Sequence, residues 1–156
     1  MTLANTDLTS VLAKYMFDLI TANMTSLGLL GAYYGDQTNI PTALAAVVTP
    51  GIKRRDLAGV AGPGGRTLNT LTVYVDVLSS KVAPQAEASI ELDKLADTVE
   101  QFLHTDVQMG GLVIHGFVNE WDPGTAFMQN GQFRMVRMTW VGISKTYLSP
   151  MQLETT

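Results

Sequence analysis

The chain has 156 residues, of which 46% are apolar, 15% charged and 8% aromatic, and its formal net charge is −4. This length suits one domain, and the absence of cysteine excludes disulfides, thiolate nucleophiles and cysteine-ligated zinc. No apolar run approaches the ~20 residues that cross a bilayer, and a slightly acidic, weakly charged chain is a poor match for a module that neutralises phosphates. We therefore expect a single domain over residues 1–156, made in the cytoplasm, with no membrane partner.

The first predicted element is a helix that begins after the capping residues 5–7. Its apolar residues cover an arc of roughly 240°, whereas a surface helix needs a stripe of only ~100°. Either its own domain covers this helix on several sides, or part of it is buried against a second copy of the protein. For the second case the interface candidates are Tyr15, Met16, Phe17 and Ile20.

Two strands are predicted on either side of a glycine-rich segment. The first, at 41–49, is expected to end at Pro50-Gly51, and the second, at 68–78, alternates apolar with polar residues. Residues 50–67 between them (PGIKRRDLAGVAGPGGRT) carry five glycines and two prolines. A loop of this length without its own structure is commonly functional or disordered. The pattern therefore predicts a long β-hairpin with a flexible basic tip.

A second helix is predicted from Pro84, which suits a first helical turn, to about His104. Its apolar residues fall within about 120°, the stripe of an ordinary amphipathic helix. A further strand at 112–121 is expected to end at the Asp122-Pro123-Gly124 sequence.

The last predicted strand, 132–147, follows an Asn130-Gly131 turn. At ~3.3 Å per residue it would span roughly 50 Å, so it should bend near Gly142 or project beyond its own sheet. The element order is then α-β-β-α-β-β. We predict an α+β fold with about four strands in a mixed or antiparallel sheet, two main helices on one face and a long glycine-rich hairpin excursion.

The sequence contains no pattern typical of a catalytic, cofactor or metal site. A Walker loop needs a lysine directly after its last glycine, which is absent here. His104 and His115 lack metal-ligand spacing, and no G-x-S-x-G elbow occurs. We therefore predict no catalytic, cofactor-binding or metal-binding residues and a protein that is not an enzyme. The enzyme alternative is a small hydrolase that uses His115 with Glu120 or Asp122.

Charge placement is more informative than any motif. Lys53, Arg54, Arg55 and Arg66 place four of the ten basic residues in the glycine-rich segment, whereas acids dominate the polar side of the second predicted helix. These basic residues are either incidental, or an arm that docks on an acidic partner surface such as the next copy of the protein. A nucleic-acid module that uses the basic residues of 53–66 would instead bind DNA with a strong salt dependence.

The segments described above follow one another in a characteristic order. The apolar N-terminal helix precedes IPTALAAVVTPG and the basic loop, and then come LNTLTVYVDV, LDKLADTVEQFL, DVQMGGLV and FRMVRMTWVGISKTYL. This succession resembles the tail terminator (tail completion or neck) proteins of long-tailed bacteriophages. The resemblance implies a folded core over 5–148, a flexible loop at 50–67 and a C-terminal tail at 149–156.

The resemblance also implies a function. It predicts a structural virion protein of the tail or neck that forms a homohexameric ring, caps the tail tube, stops its polymerisation and joins the tail to the head. Its partners would be the tail tube protein and a head connector or adaptor protein, with DNA passing through the ring lumen. The family supplies no active-site residues, so the interface candidates rest on the charge and apolar patterns above. The alternative within the virion is a head-closure adaptor.

Overall fold

The computed structural model describes residues 8–57 and 66–147, with the side chains of 8–54 and 68–144. It has an α+β fold with a five-stranded mixed sheet and helices on one face. Within the described residues, no helix is both long and apolar enough to cross a membrane. In chain order the elements are α1 (Leu8–Ala22), α2 (Met24–Leu27), β1 (Gly31–Tyr34), β2 (Leu44–Leu57), β3 (Arg66–Ser79), α3 (Gln85–Leu103), β4 (His115–Met128) and β5 (Gly131–Tyr147).

The strands lie in the order β1-β2-β3-β5-β4, with β1 parallel to β2 and the other neighbours antiparallel. The predicted hairpin is thus confirmed, whereas the expected number of about four strands is wrong because β1 was missed. Gly31 begins this short strand and Gly35 follows it, and glycines so closely spaced are more typical of a turn or loop than of a strand. Gly31 is instead needed for a close approach, since a Cβ there would lie 2.6 Å from Oγ1 of Thr42.

Both predicted strand ends at proline–glycine sequences are wrong. Strand β2 continues past Pro50 through a bulge between Pro50 and Lys53, and β4 continues through Pro123. Both prolines are tolerated because each lies on a strand edge that no other described strand pairs with. Pro123 lies on β4, the last strand of the sheet, and Pro50 lies on β2 beyond Val48, where the pairing with β1 ends. The expected flexible tip at 58–65 lies outside the described residues.

The prediction that the last strand projects beyond its own sheet is also wrong for the described residues. Strand β5 pairs with β3 over its residues 134–147 and with β4 over 131–143. Its 17 residues have two neighbours of 14 residues each. The backbone of β5 therefore finds its hydrogen-bonding partners within the protomer, and its length does not require pairing with a second copy.

The main core lies between the helices and one face of the sheet. Helix α3 contributes the stripe expected from its sequence: Leu92, Val99 and Leu103 are buried, and Ile90 on the opposite side is 56% exposed. From β5, Trp140 is fully buried against two glycines, Gly116 and Gly142, where an added Cβ would lie within 2.5 Å of its ring. In this part of the fold, glycine makes room for the largest core side chain.

Candidate interaction surface

The opposite face of the sheet, which we call the open face, carries no helix within the described residues. The strand register arranges its side chains in rows that run across β2, β3, β5 and β4. A charged row contains Val47, Asp76, Arg137 and Asp122. The next row contains Thr49, Tyr74, Thr139 and Glu120. An apolar row contains Ile52, Thr72, Val141 and Phe117, and an end row contains Arg54, Thr70, Ile143 and His115.

The apolar row is the most exposed hydrophobic part of this face. Ile52 is 66% exposed and Phe117 is 47% exposed, and Ile143 in the neighbouring row is 42% exposed. The ring of His115 lies 6.1 Å from that of Phe117. Exposed apolar side chains that adjoin one another, rather than being scattered singly, are typical of interaction sites.

A bulge in β2 places Ile52 on the open face. Gly51 and Ile52 together lie opposite the single residue Thr72, so both face the same side of the sheet. A Cβ at Gly51 would lie 2.9 Å from Cε2 of Tyr74, which identifies that side as the open face. By the same register Lys53 is turned toward the helix side, and Arg54 returns to the open face.

A second bulge, in β4, decides which of its side chains face outward. The register shifts between Val118 and Glu120, so Glu120 and Asp122 lie on the open face and Trp121 turns to the helix side. There the indole Nε1 of Trp121 donates a hydrogen bond of 3.0 Å to Oε1 of Glu100 on α3. The bulge thereby adds two carboxylates to the open face.

The charged row contains a partly buried ion pair, Asp76 with Arg137. Nε of Arg137 donates to Oδ1 of Asp76 at 2.8 Å, and its Nη2 donates to Oδ2 at 3.0 Å. The guanidinium also lies 4.7 Å from the ring centroid of Tyr74. The hydrogen bonds to Asp76 raise the pKa of Arg137, and the charge of Asp36 adds to the same direction. These contacts hold the Asp76 and Arg137 side chains in place at the centre of the charged row.

The interface candidates on α1 fall into two groups. Met16 and Ile20 are fully buried in the protomer's own core, so they present no surface to a neighbour. Tyr15 and Phe17 are half-buried, and the Tyr15 hydroxyl donates to Oδ2 of Asp106 at 2.8 Å. The domain itself therefore covers most of the broad apolar arc of this helix.

The structure describes the side chains of two of the four basic candidates, Lys53 and Arg54, and places them on opposite sides of β2. Arg54 is exposed on the open face, and Lys53 is half-buried on the other side. Both belong to strand β2, and neither has an ion-pair partner within the described side chains. The side chains of Arg55 and Arg66 lie outside the described residues.

The residues of the hydrolase alternative are not brought together. His115 pairs with Ile143 and Glu120 with Thr139, four positions further along β5, which separates them by about 13 Å along the sheet. His104 is occupied as well, because its Nε2 accepts a hydrogen bond of 3.0 Å from the backbone N–H of Val118. Among the described residues, no group of three or more His, Asp or Glu side chains could hold a metal ion.

An open groove of about 510 Å³ lies between α3 and the β4–β5 pair. Arg134 there donates a hydrogen bond to the hydroxyl of Ser89. A serine nucleophile needs a base that removes its proton, and a guanidinium cannot act as one. The hydrogen bond from Arg134 therefore does not activate Ser89 as a nucleophile.

Sequence reasoning missed the apolar row. Ile52 lies in the segment 50–67, which the sequence predicts to be a loop. Phe117 and Ile143 belong to strands in which both faces carry apolar residues, so alternation alone does not show which face is buried. One usable signal is present in β5. Residues 137, 139, 141 and 143 lie on the same face, and along this face polar Arg137 and Thr139 give way to apolar Val141 and Ile143. Apolar residues on the outward alternation of a strand indicate a covered or contacted face.

No protein-family model and no curated protein matches this sequence. Among solved structures, the fold is similar to a chain from a structure described as the virion of a native gene transfer agent (GTA) particle, with a TM-score of 0.46 and 8% sequence identity. The match covers 86% of this chain and 94% of that chain. No functional conclusion follows from a similarity of this size.

Proposed function

We propose that this protein is a structural subunit of a bacteriophage virion, a tail terminator that assembles as a ring on the end of the tail tube. The observation that carries the proposal is the open face, on which Ile52 of β2 and Phe117 of β4 are exposed at the two ends of one row and Ile143 is exposed in the row beside it. Adjacent exposed apolar side chains are typical of protein–protein contact sites, and in an oligomer neighbouring subunits bury them.

The sequence resemblance supplies the specific role. In this role the ring stops polymerisation of the tail tube, offers the head connector a surface for joining and lets DNA pass through its lumen. The chemistry of the described residues agrees with a structural task, since His115, Glu120 and Asp122 are held apart and His104 is used as a hydrogen-bond acceptor. The partners would be further copies of the chain, the tail tube protein and the head connector.

Addition of the purified, tagged protein to its polymerising cognate tail tube protein tests the proposal. We expect the tubes to stop elongating and gold particles against the tag to lie at one end, as measured by tube lengths and labelling in electron micrographs. Unchanged tube lengths with unlabelled ends would contradict the terminator role. Label at the portal vertex of filled heads would instead identify a head-closure adaptor.

A further inference from the structure

The helix side of β4 is not covered by a helix within the described residues. Helix α1 packs over β1, β2 and β3, and α3 packs mainly over β3 and β5. One helix covers about two strands, since a helix is about 10 Å wide and neighbouring strands lie about 4.8 Å apart. Strand β4 is the last strand of the sheet and therefore lies beyond the reach of α3, beside its flank.

The groove of about 510 Å³ between α3 and the β4–β5 pair lies at this position. Its lining includes the buried side chains of Leu92 and Val136 and, on β4, Trp121, which is 37% exposed. The indole of Trp121 is held beside α3 by its hydrogen bond to Glu100. Phe127, further along the same side of β4, is 81% exposed. Exposed aromatic side chains around an apolar groove are typical of a contact site.

The α3 wall of the groove is acidic. Ser89 and Asp93 line the groove, and Asp97 follows at the same four-residue interval, so it lies on the same side of the helix one turn further on. Asp93 and Asp97 are exposed, and neither forms an ion pair within the described side chains. The cation of the groove, Arg134, donates to the hydroxyl of Ser89, one turn before Asp93. Beyond that turn the wall presents carboxylates, which complement a positively charged partner.

A strand is a poor occupant of this position. Strand β4 contains Pro123 and a bulge between Val118 and Glu120, and both features interrupt a continuous backbone ladder along a sheet edge. A helix needs no backbone hydrogen bonds from its partner, because its own N–H and C=O groups bond to one another. It docks in a groove through an apolar stripe.

From these observations we propose that the groove between α3 and β4 binds an amphipathic helix of a partner protein. The apolar stripe of that helix packs on Leu92, Trp121 and Val136, and lysine or arginine side chains on its flank face Asp93 and Asp97. The bound helix lies about 8–10 Å from α3, the usual distance between packed helices. This docking is independent of the ring proposed above, because it uses the helix side of the sheet rather than the open face.

A fluorescently labelled amphipathic peptide of leucine and lysine tests the docking on the full chain. We expect saturable binding in fluorescence anisotropy, with a Kd about tenfold weaker for Asp93→Asn/Asp97→Asn. The matched control is Glu87→Gln/Glu91→Gln, which removes the same charge from another side of α3, where both carboxylates face Lys81. The control should retain the wild-type Kd within about twofold. Equal losses in both variants would mean charge attraction without a docking site and would overturn the proposal.

A second pair of variants tests the apolar wall. Trp121→Ala should weaken peptide binding about tenfold, because it removes the aromatic contact of the groove. Phe117→Ala, on the same strand but on the open face, should leave the Kd unchanged. Circular dichroism of each variant checks that the fold is kept.

Three outcomes would overturn the proposal. The first is no binding of the leucine–lysine peptide to the wild type, and the second is equal binding of a peptide with glutamate in place of lysine. The third is a wild-type dimer in analytical ultracentrifugation that Trp121→Ala dissociates, which would identify a second copy as the occupant of the groove. Tube capping is measured separately, so this docking can fail while the proposed function stands.

Discussion

Asp76 and Arg137 stand directly opposite each other on β3 and β5 and form a bidentate ion pair in which the two side chains are unequally buried. The side chain of Asp76 is 9% exposed, and that of Arg137 is 40% exposed. Without its partner, the carboxylate of Asp76 would be a buried unpaired charge, whereas the guanidinium of Arg137 could still be solvated by water. Removal of the guanidinium is therefore expected to cost more stability than an ordinary surface substitution.

Replacing Arg137→Met should destabilise the protein by about 2–4 kcal/mol, because the buried carboxylate of Asp76 loses its cation. Urea denaturation followed by circular dichroism measures the change. The double variant Asp76→Asn/Arg137→Met should recover at least half of the loss, since no buried charge then remains unpaired. A single variant within about 0.5 kcal/mol of the wild type, the range of an ordinary surface change, would show that the pair contributes little.

Replacing Gly116→Ala should destabilise the fold by about 1–3 kcal/mol, because the new Cβ overlaps the ring of Trp140. A Cβ at that position would lie 2.1 Å from Cζ2 of Trp140. Gly124→Ala on the same strand is the matched control, since its Cβ would meet nothing nearer than Cε of Met135 at 3.7 Å. Thermal unfolding of both variants measures the difference, and equal melting temperatures would contradict the overlap.

Replacing Tyr15→Phe should cost about 0.5–1.5 kcal/mol, the net contribution of a hydrogen bond, here the one that the Tyr15 hydroxyl donates to Asp106. That hydrogen bond raises the pKa of Tyr15 above its ordinary 10.0. Its contribution is therefore complete below pH 10 and is lost as the pH rises through the raised pKa. Denaturation at pH 7 should separate wild type from variant, and the difference should shrink at alkaline pH. A gap that widens with pH would contradict this linkage.

Replacing Leu92→Ala should destabilise the protein by about 2–5 kcal/mol, whereas Ile90→Ala should change stability by less than about 0.5 kcal/mol. Leu92 is 4% exposed in the main core, and Ile90 is 56% exposed on the other side of α3. Chemical denaturation of the two variants compares a buried with an exposed aliphatic side chain of one helix. Similar losses for both would mean that a partner or another part of the chain covers Ile90.

The sequence by itself determined most of the local structure. Periodicity identified α1 and α3 with their buried stripes and also the alternation of β3, and Asn130-Gly131 predicted the turn before β5. These features depend on neighbours within a few residues along the chain, which is the range that propensity, capping and periodicity report.

Tertiary structure decided the features that depend on distant strands. Pro50 and Pro123 could remain inside β2 and β4 because no other described strand pairs with those edges. Strand β5 could be long because β3 and β4, of 14 residues each, pair with almost all of its 17 residues. Two bulges then selected Ile52, Glu120 and Asp122 for the open face. A bulge shifts the alternation of a strand by one residue, and that shift follows from pairing with another strand rather than from the local sequence.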